Sequence, residues 1–220
     1  YEDLLYALNQ VTSPEKVQLL DLEDYKNPYE VIKNQKRYDE SVRSWLEFSI
    51  NSISKDKRSR KTVNLSSYFS KFKETWKTVM QELNIEFDVY GFTDEMKVKA
   101  FIIDLDTIFN NLISNSIYAV KSKRTTQNRK ILIKGNLQED NIIIVVSDTG
   151  KGLDEEYRNN PSVIFNAFES SRCNKNGEKI GTGLGLYITK ATVNEYKNSS
   201  IQILPQLEGF GIKITFKKLI

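Results

Sequence analysis

Several residue types that would point to a particular chemistry are scarce or missing. Histidine is absent from the 220 residues, so any reaction at an imidazole needs one from outside this sequence. The one cysteine, Cys173, cannot form an intramolecular disulfide, and we therefore predict a reducing, cytoplasmic environment. No apolar run approaches the roughly 18 residues of a membrane-spanning helix. We expect no membrane segment in this part of the protein.

Charge of one sign is not in excess either. The chain carries 32 basic and 29 acidic side chains, so nothing in its charge favours a nucleic-acid or a membrane partner. Its hydrophobic content of 39% and aromatic content of 11% are enough for a core in one large or two modest domains. Because the chain begins at Tyr1 rather than at methionine, we expect a fragment of a longer, sensory or membrane-anchored protein.

Residues 1–60 predict a helical, hairpin-like segment. Signals for a helix start, in which a capping residue precedes proline, occur at Ser13-Pro14 and Asn27-Pro28. After the second signal the apolar residues with helical spacing are Val31, Tyr38, Val42, Trp45, Leu46, Ile50 and Ile53. This stripe would extend over roughly 40 Å of helix. We interpret the segment as one that makes a homodimer, and packing on the following domain is the alternative.

A second domain is predicted over 61–220. The charge run 55–61, Lys-Asp-Lys-Arg-Ser-Arg-Lys, predicts a linker before it, and a basic partner site is the other interpretation. The expected strands are 85–89, 96–101, 130–133, 141–146, 200–204 and 211–216, and the expected helices begin at Asn64 or Ser66, at Asp104 and at Leu184. This order favours the α+β class, an α/β sandwich with three helices on one face of a mixed, largely antiparallel sheet.

Two glycine clusters frame a loop within 148–186. Asp148-Thr-Gly-Lys-Gly-Leu153 follows an apolar run, and Gly181-Thr-Gly-Leu-Gly-Leu186 leads into a helix. Glycine permits a positive φ or a close approach to a ligand, and the first amides of a helix bind anions. A carboxylate at a strand end with such a loop suggests a nucleotide, with the acid at the base and the amides at the phosphates. Each cluster alone is equally compatible with a plain turn.

The helix predicted over 104–120 carries a polar stripe. Asn111, Asn115 and Tyr118 are spaced i, i+4 and i+7, away from the apolar face of the same helix. Asparagine is unfavourable inside a helix, so two of them one turn apart need either solvent or a ligand. An amide oxygen suits Mg²⁺, which takes waters and phosphate oxygens as its other ligands.

Four stretches together identify a family. They are Asn111-Leu-Ile-Ser-Asn115-Ser-Ile-Tyr-Ala119, Asp148-Thr-Gly-Lys-Gly152, Phe165-Asn-Ala-Phe168 and Gly181-Thr-Gly-Leu-Gly185. In this order they resemble the N, G1, F and G2 boxes of the Bergerat-fold ATPases, the group of gyrase, Hsp90, histidine kinases and MutL. The paired asparagines and the F box are most similar to the catalytic domain of sensor histidine kinases.

This resemblance implies a site for ATP and Mg²⁺. Asp148 would accept a hydrogen bond from the adenine amino group, Asn115 would coordinate the metal, and Phe165 and Phe168 would anchor the lid. Arg172 would contact the γ phosphate, although a solvated lid arginine is an equal alternative. The residues implied in nucleotide binding are Asn111, Asn115, Tyr118, Asp148, Gly150, Gly152, Leu153, Phe165, Phe168, Arg172, Gly181, Thr182, Gly183, Leu184 and Gly185, of which Asn111 and Asn115 are the catalytic pair.

The sequence also departs from the family pattern. Asn111 stands where gyrase, MutL and Hsp90 carry the acid that activates water, so we do not expect hydrolysis by that route. Tyr118 stands where many kinases have a lysine. No histidine is present to accept a phosphate, and Asn9 occupies its place in Asn9-Gln-Val-Thr-Ser-Pro14, a run with the spacing of the kinase acceptor motif. That run is equally well explained as a helix start.

Two functions are compatible with these residues. The first is the dimeric catalytic core of a sensor histidine kinase, which moves the γ phosphate of Mg·ATP to a histidine outside this sequence and works with a response regulator or another effector. The alternative is a Bergerat-fold ATP switch that acts through partner binding without phosphotransfer. In both, the segment 153–180 is predicted to be a lid that is mobile without nucleotide and orders over it.

Overall fold

Seven strands and four α-helices form within residues 60–123, 128–170, 181–204 and 208–219, which are those that the computed structural model describes. The strands are β1 Lys61–Asn64, β2 Glu86–Tyr90, β3 Lys97–Ala100, β4 Lys130–Gln138, β5 Asn141–Asp148, β6 Ser200–Leu204 and β7 Phe210–Lys217. The helices are α1 Leu65–Glu82, α2 Ile102–Ser122, α3 Glu155–Arg158 and α4 Gly185–Asn194, with a 3₁₀ helix at Pro161–Phe165.

The chain divides into two units, Tyr1–Arg58 and Ser59–Ile220, and the described residues belong to the second. The dimerising segment predicted for 1–60 therefore lies outside the described residues, apart from Arg60. The same holds for Arg172 and for the alignment of Asn9 with a phosphate acceptor. None of the helices in the described ranges is long and apolar enough to cross a membrane.

Five strands form the main sheet in the order β2-β4-β5-β7-β6. β2 runs parallel to β4, and the other three neighbouring pairs are antiparallel, so the sheet is mixed and largely antiparallel as predicted. Buried and less buried residues alternate along β5, which is the pattern of a strand with one face on a core. The predicted fold class, an α+β sandwich, is confirmed.

The core lies between this sheet and the helices. Phe69 of α1 stacks on Phe92 with ring centroids 4.2 Å apart, and it meets Phe109 of α2 edge to face at 4.7 Å. From the sheet, the fully or almost fully buried aliphatic side chains are Ile131, Ile133, Ile142, Ile144, Ile212 and Ile214. A continuous core of this kind fixes α2 over the middle strands, and α2 is the helix with the paired asparagines.

Local signals explain where the helices begin. Asn64 caps α1, because its side-chain oxygen accepts a hydrogen bond from the Ser67 amide at 3.1 Å. α2 carries Asp104 in its first turn and Lys121 in its last, an arrangement that complements the helix dipole. α4 starts at Gly185, one residue after the position expected from the sequence.

Two features were missing from the expected element order. β1 pairs antiparallel with β3 in a separate two-stranded sheet, although the first residue of β1, Lys61, belongs to the charge run interpreted as a linker. The segment interpreted as a lid contains α3 and the 3₁₀ helix, with Pro161 at a helix start. Tyr157, Ile164 and Phe165 of this segment are buried.

Candidate functional site

A cavity of about 270 Å³ lies against α2, the end of β5, the lid segment and the start of α4. Ten of the residues predicted to bind a nucleotide line it: Asn111, Asn115, Tyr118, Asp148, Gly152, Leu153, Gly181, Thr182, Gly183 and Gly185. They come from stretches of sequence up to 74 positions apart, as in the contact of Asn111 with Gly185. The fold therefore gathers the asparagine pair and both glycine clusters around one space.

Asp148 is the buried acid at one end of this cavity. It is the last residue of β5 and is 5% exposed. Its Oδ1 accepts a hydrogen bond from the Gly150 amide at 2.8 Å, and the Ser116 hydroxyl and the Phe210 amide also donate to the carboxylate. Burial raises the pKa of Asp148 from 3.8 to about 6, against the lowering effect of these three donors. Such a carboxylate can accept a hydrogen bond from a ligand at neutral pH.

Close contacts hold the loop after Asp148. A Cβ on Gly150 would lie 2.6 Å from the backbone carbon of Ala119 on α2, and a Cβ on Gly209 would overlap the carbonyl oxygen of Asp148 itself. Gly209 also has a φ of +76°, a region that favours glycine. Neither position has room for a side chain, so α2 and Gly209 fix the backbone around the acid.

Thr149 adds side-chain bonds to this loop. Its hydroxyl accepts from the Lys130 amide at 2.9 Å and donates to the Asn128 carbonyl oxygen, and its own carbonyl accepts from Lys123 Nζ at 3.1 Å. Lys123 also lies 3.8 Å from the Glu208 carboxylate. The Asp148 end of the cavity is thus connected to β4, to the end of α2 and to Glu208, two residues before β7.

The second glycine cluster forms the opposite end. Gly183 has a φ of +68°, and a Cβ there would overlap the backbone of Phe168 and lie 2.6 Å from the Glu169 amide nitrogen. Gly185 then begins α4, ten residues long, whose first amides have no partner within the helix. The N-terminus of α4 carries partial positive charge at the cavity wall, which suits an anionic group of a ligand.

The asparagines of α2 lie between these two ends. Asn111 Nδ2 donates to the Gly185 carbonyl oxygen at 3.2 Å and faces the Thr189 hydroxyl at 3.5 Å. Asn115, one turn later, also lines the cavity. The oxygen of such an amide is a hard donor that fits Mg²⁺ together with phosphate oxygens and waters. Within the described ranges no group of three or more acidic, cysteine or histidine residues could hold a metal instead.

The match to a family model decides the identity of this domain. Residues 101–219, more than half of the chain, match the model described as histidine kinase-, DNA gyrase B-, and HSP90-like ATPase. The chain belongs to this ATPase family.

Individual relatives agree with that assignment. Phytochrome-like protein Cph1 of Synechocystis sp. is 35% identical over 100 residues, which are 46% of this chain and 12% of that protein. Sensor protein SrrB of Staphylococcus aureus is 30% identical over 113 residues, 51% of this chain and 18% of that protein. The chain thus spans less than a fifth of the length of either relative.

Solved structures show the same fold. The catalytic domain of histidine kinase ThkA has a TM-score of 0.60 at 20% identity, covering 73% of this chain and 97% of that one. ThkA in complex with the response regulator protein TrrA has a TM-score of 0.62 at 18% identity, covering 99% of this chain and 64% of that one.

Of the predicted residues that the structure describes, four do not line the cavity. Gly150 lies behind it against α2, and Leu184 is buried at 2% exposure. Phe165 is buried in the core, with Lys190 Nζ 5.2 Å from its ring centroid, so it can anchor the lid. Phe168 is 60% exposed, and its side chain is therefore not docked as the anchor role requires. Phe168 has a φ of +67°, and Gly183 packs against its backbone.

The cavity also includes residues that the sequence did not reveal. Ser116 is 5% exposed and interrupts the buried stripe of α2 between Leu112 and Val120, a polar residue at an apolar position that could have been noticed. Lys151 forms an ion pair with Asp154 at 2.8 Å, and both line the cavity. In the sequence, the i, i+3 spacing of these two residues was only a weak indication of an ion pair. Phe210 reaches Asp148 through the register of β5 and β7, which no local pattern contains.

The lid contributes an acid at the cavity. Glu169 lines it and accepts a hydrogen bond from the Tyr157 hydroxyl at 3.1 Å. Burial and the neighbouring carboxylates Glu156 and Glu169 raise the pKa of Tyr157, so this hydroxyl stays a donor at neutral pH. This hydrogen bond connects Tyr157 of α3 to Glu169. It therefore joins the two ends of the described part of the lid segment.

Proposed function

We propose that residues 61–220 bind Mg·ATP in this cavity and form the catalytic domain of a sensor histidine kinase. The observation that carries the proposal is the shared cavity itself, in which a buried carboxylate faces the same space as a glycine-led helix N-terminus and two asparagines. A base with an exocyclic amino group suits the carboxylate, and a triphosphate suits the amides. Membership of the ATPase family supports ATP as the nucleotide.

The proposed roles follow from the contacts. Asp148, held by Gly150 and Ser116, would accept a hydrogen bond from the adenine amino group. The amides that follow Gly181 and Gly183 would bind the terminal phosphates, and the dipole of α4 would stabilise their charge. Mg²⁺, when bound, would neutralise phosphate charge, with Asn115 as the protein ligand.

Phosphoryl transfer asks the domain mainly for positioning and charge stabilisation. The bond between the γ phosphorus and its bridging oxygen breaks, a bond from phosphorus to an imidazole nitrogen forms, and ADP leaves. The imidazole proton is released to solvent or to a base. The imidazole must come from a part of the protein or a partner beyond these 220 residues, because the sequence has no histidine.

A dimeric assembly, a location in the cytoplasm and a response-regulator partner belong to the same proposal. The name of SrrB as a sensor protein and the ThkA complex with a response regulator support the response-regulator part of this proposal. Residues 1–60 would supply the dimer contact.

The experiment is a calorimetric titration of Mg·ATP into the purified 220-residue chain and into Asn115→Ala. We expect the variant to lose roughly tenfold in affinity, or about 1.4 kcal/mol, because one polar contact to a charged group is removed. Asp140→Asn is the matched control, since Asp140 pairs with Lys217 at 3.0 Å at the opposite end of β5 from Asp148. Unchanged affinity in Asn115→Ala would remove the metal role of this residue.

A nucleotide switch without phosphotransfer is the second candidate, and the missing histidine favours it. The two candidates differ in the fate of the γ phosphate. Incubation with radiolabelled ATP and a separately purified histidine-containing acceptor domain should yield acid-labile, base-stable phosphate on that domain if the kinase proposal holds. Tight ATP binding with no transfer, under conditions where a known kinase transfers, would favour the switch.

A further inference from the structure

The contact between α2 and α4 contains a fully buried hydroxyl that the proposed roles leave unused. Thr189 is 0% exposed and lies one turn into α4. Its Oγ1 donates to the Gly185 carbonyl oxygen at 2.8 Å and lies 3.5 Å from Asn111 Nδ2, and Asn111 Nδ2 donates to the same carbonyl at 3.2 Å. Three residues thus form a closed triangle of hydrogen bonds behind the cavity wall.

The chemistry of the triangle fixes which end of the Asn111 amide faces α4. A backbone carbonyl can only accept a hydrogen bond, so the group that Asn111 turns toward Gly185 has to be its NH₂. Thr189 has one hydroxyl proton, and the shorter bond to Gly185 uses it. Toward Asn111 the hydroxyl can therefore only accept, which again requires the NH₂ at that side. Both neighbours select the same orientation of the amide.

The carbonyl oxygen of Asn111 then occupies the other side of the amide. Asn111 and Gly185 both line the cavity. A Cβ placed on Gly185 would lie 3.7 Å from Asn111 Oδ1, so this oxygen stands beside the first residue of α4 at the wall of the cavity. An oxygen in that position attracts a cation or a hydrogen-bond donor and repels a phosphate oxygen.

We propose that Thr189 is a positioning residue, which holds the Asn111 amide so that its oxygen rather than its nitrogen is offered to the metal side of a bound Mg·ATP. The inference rests on the proposed function and assigns Asn111 the role of an oxygen donor beside Asn115. Helix α4 then has two roles, because its N-terminus binds phosphate and its second turn sets the ligand orientation on α2.

Three variants test this proposal. Thr189→Val keeps the shape and removes the hydroxyl, and Thr189→Ser keeps the hydroxyl and removes the methyl group. Thr192→Val is the matched control, because Thr192 is also 0% exposed on α4 but its Oγ1 has no hydrogen-bond partner among the residues that the structure describes. Each protein is titrated with ATP by calorimetry, once with Mg²⁺ and once with EDTA.

The expected pattern separates positioning from general stability. Thr189→Val should weaken Mg·ATP binding about 3- to 10-fold and leave metal-free ATP binding within about twofold, while Thr189→Ser and Thr192→Val stay close to the parent. Equal effects of Thr189→Val and Thr192→Val, or an equal loss with and without Mg²⁺, would overturn the proposal. A parent protein that binds no ATP would instead overturn the proposed function.

A measurement without nucleotide tests the orientation directly. Side-chain amide protons of Asn111, assigned by NMR through the loss of their signals in Asn111→Asp, should exchange more slowly in the parent and in Thr189→Ser than in Thr189→Val. Thr192→Val should match the parent. Identical exchange in the parent and Thr189→Val would show that the hydroxyl does not hold the amide, whatever the outcome of the titrations.

Discussion

At the Asp148 end of the cavity, backbone of α2 and of Gly209 surrounds the first glycine cluster, whereas at the α4 end the second cluster meets the lid segment. Gly150 is enclosed by α2, and Gly209 by the backbone of Asp148. Thr149 is hydrogen-bonded to Lys130 and to Lys123. Gly183 packs on Phe168 and Glu169, which belong to the lid segment, and Gly185 meets Asn111 at ordinary contact distance. The Asp148 end is therefore built into the fold, and the α4 end packs on the described part of the lid segment.

The largest expected effect comes from a substitution at the enclosed Asp148 end of the cavity. Gly209→Ala should lower the free energy of unfolding by about 3 kcal/mol or more, because its Cβ would overlap the Asp148 carbonyl and its φ is positive. Gly185→Ala is the control, since its Cβ would meet nothing closer than 3.7 Å and its φ is ordinary. Urea unfolding followed by circular dichroism measures both. Equal losses would mean that the two ends are not built differently.

The next effect concerns the charge of Asp148. The pKa of Asp148 is raised from 3.8 to about 6, so the folded protein binds this proton more tightly than the unfolded chain does. The free energy of unfolding therefore falls as pH rises from about 4 to about 6, and the ionised group destabilises the nucleotide-free protein at neutral pH. Asp148→Asn should raise the free energy of unfolding at pH 7 by roughly 1 to 3 kcal/mol.

The pH series supplies the check on that prediction. In Asp148→Asn the decrease in stability between about pH 4 and pH 6 should become smaller, while Asp140→Asn should follow the parent, since that acid lies in an exposed ion pair. A variant that loses stability at pH 7 would show that the ionised carboxylate contributes net stabilisation through its three donors. The difference in melting temperature between pH 4.5 and pH 7 is the quantity to compare.

A third prediction sharpens the contrast at the α4 end. If the lid closes on the γ phosphate, amide hydrogen exchange across Glu169 to Thr182 should slow with a non-hydrolysable ATP analogue and slow less with ADP. Contacts to that phosphate are each on the order of 1.5 to 3 kcal/mol. The amides of 141–148 in β5 should change little with either nucleotide. Identical protection by ADP and the analogue would remove a role for the lid, including Arg172, in sensing the γ phosphate.

The smallest effect tests one lid contact. Tyr157→Phe removes the hydrogen bond to Glu169 and should lower stability by about 0.5 to 1.5 kcal/mol, with faster exchange confined to the lid. Tyr90→Phe serves as the control, because Tyr90 is 51% exposed on the outer strand β2. A change in exchange that spreads into β4 and β5 would mean that the Tyr157 contact supports the whole domain.

These two regions also differ in how far the sequence predicted them. The strand before Asp148 and the helix after Gly183 carry clear periodic patterns, and the paired asparagines follow from helical spacing alone. The expected hairpin 130–133 and 141–146 proved longer, at Lys130–Gln138 and Asn141–Asp148, because tertiary pairing extends strands past their most apolar residues. These local patterns do not show that α2, β5 and α4 meet at one cavity. That prediction required the family resemblance in addition.

Other features could not be read from local patterns. β1 lies next to a run of charged residues, has Val63 as its one buried residue and depends on pairing with β3, more than 30 positions away. Ser116 and Phe210 meet Asp148 through helix packing and strand register. The triangle of Asn111, Gly185 and Thr189 joins residues 74 and 78 positions apart, and such contacts have no signature in a single sequence.

The central claim is that Asp148 selects an adenine base in this cavity, and a calorimetric comparison of ATP with GTP tests it most directly. Guanine presents a carbonyl oxygen where adenine presents an amino group, so two acceptors would face each other at the carboxylate. We predict that the parent chain prefers Mg·ATP over Mg·GTP by roughly tenfold or more, and that Asp148→Asn loses about 1.5 to 3 kcal/mol of ATP affinity together with this preference. Equal affinity of the parent for both nucleotides would contradict it.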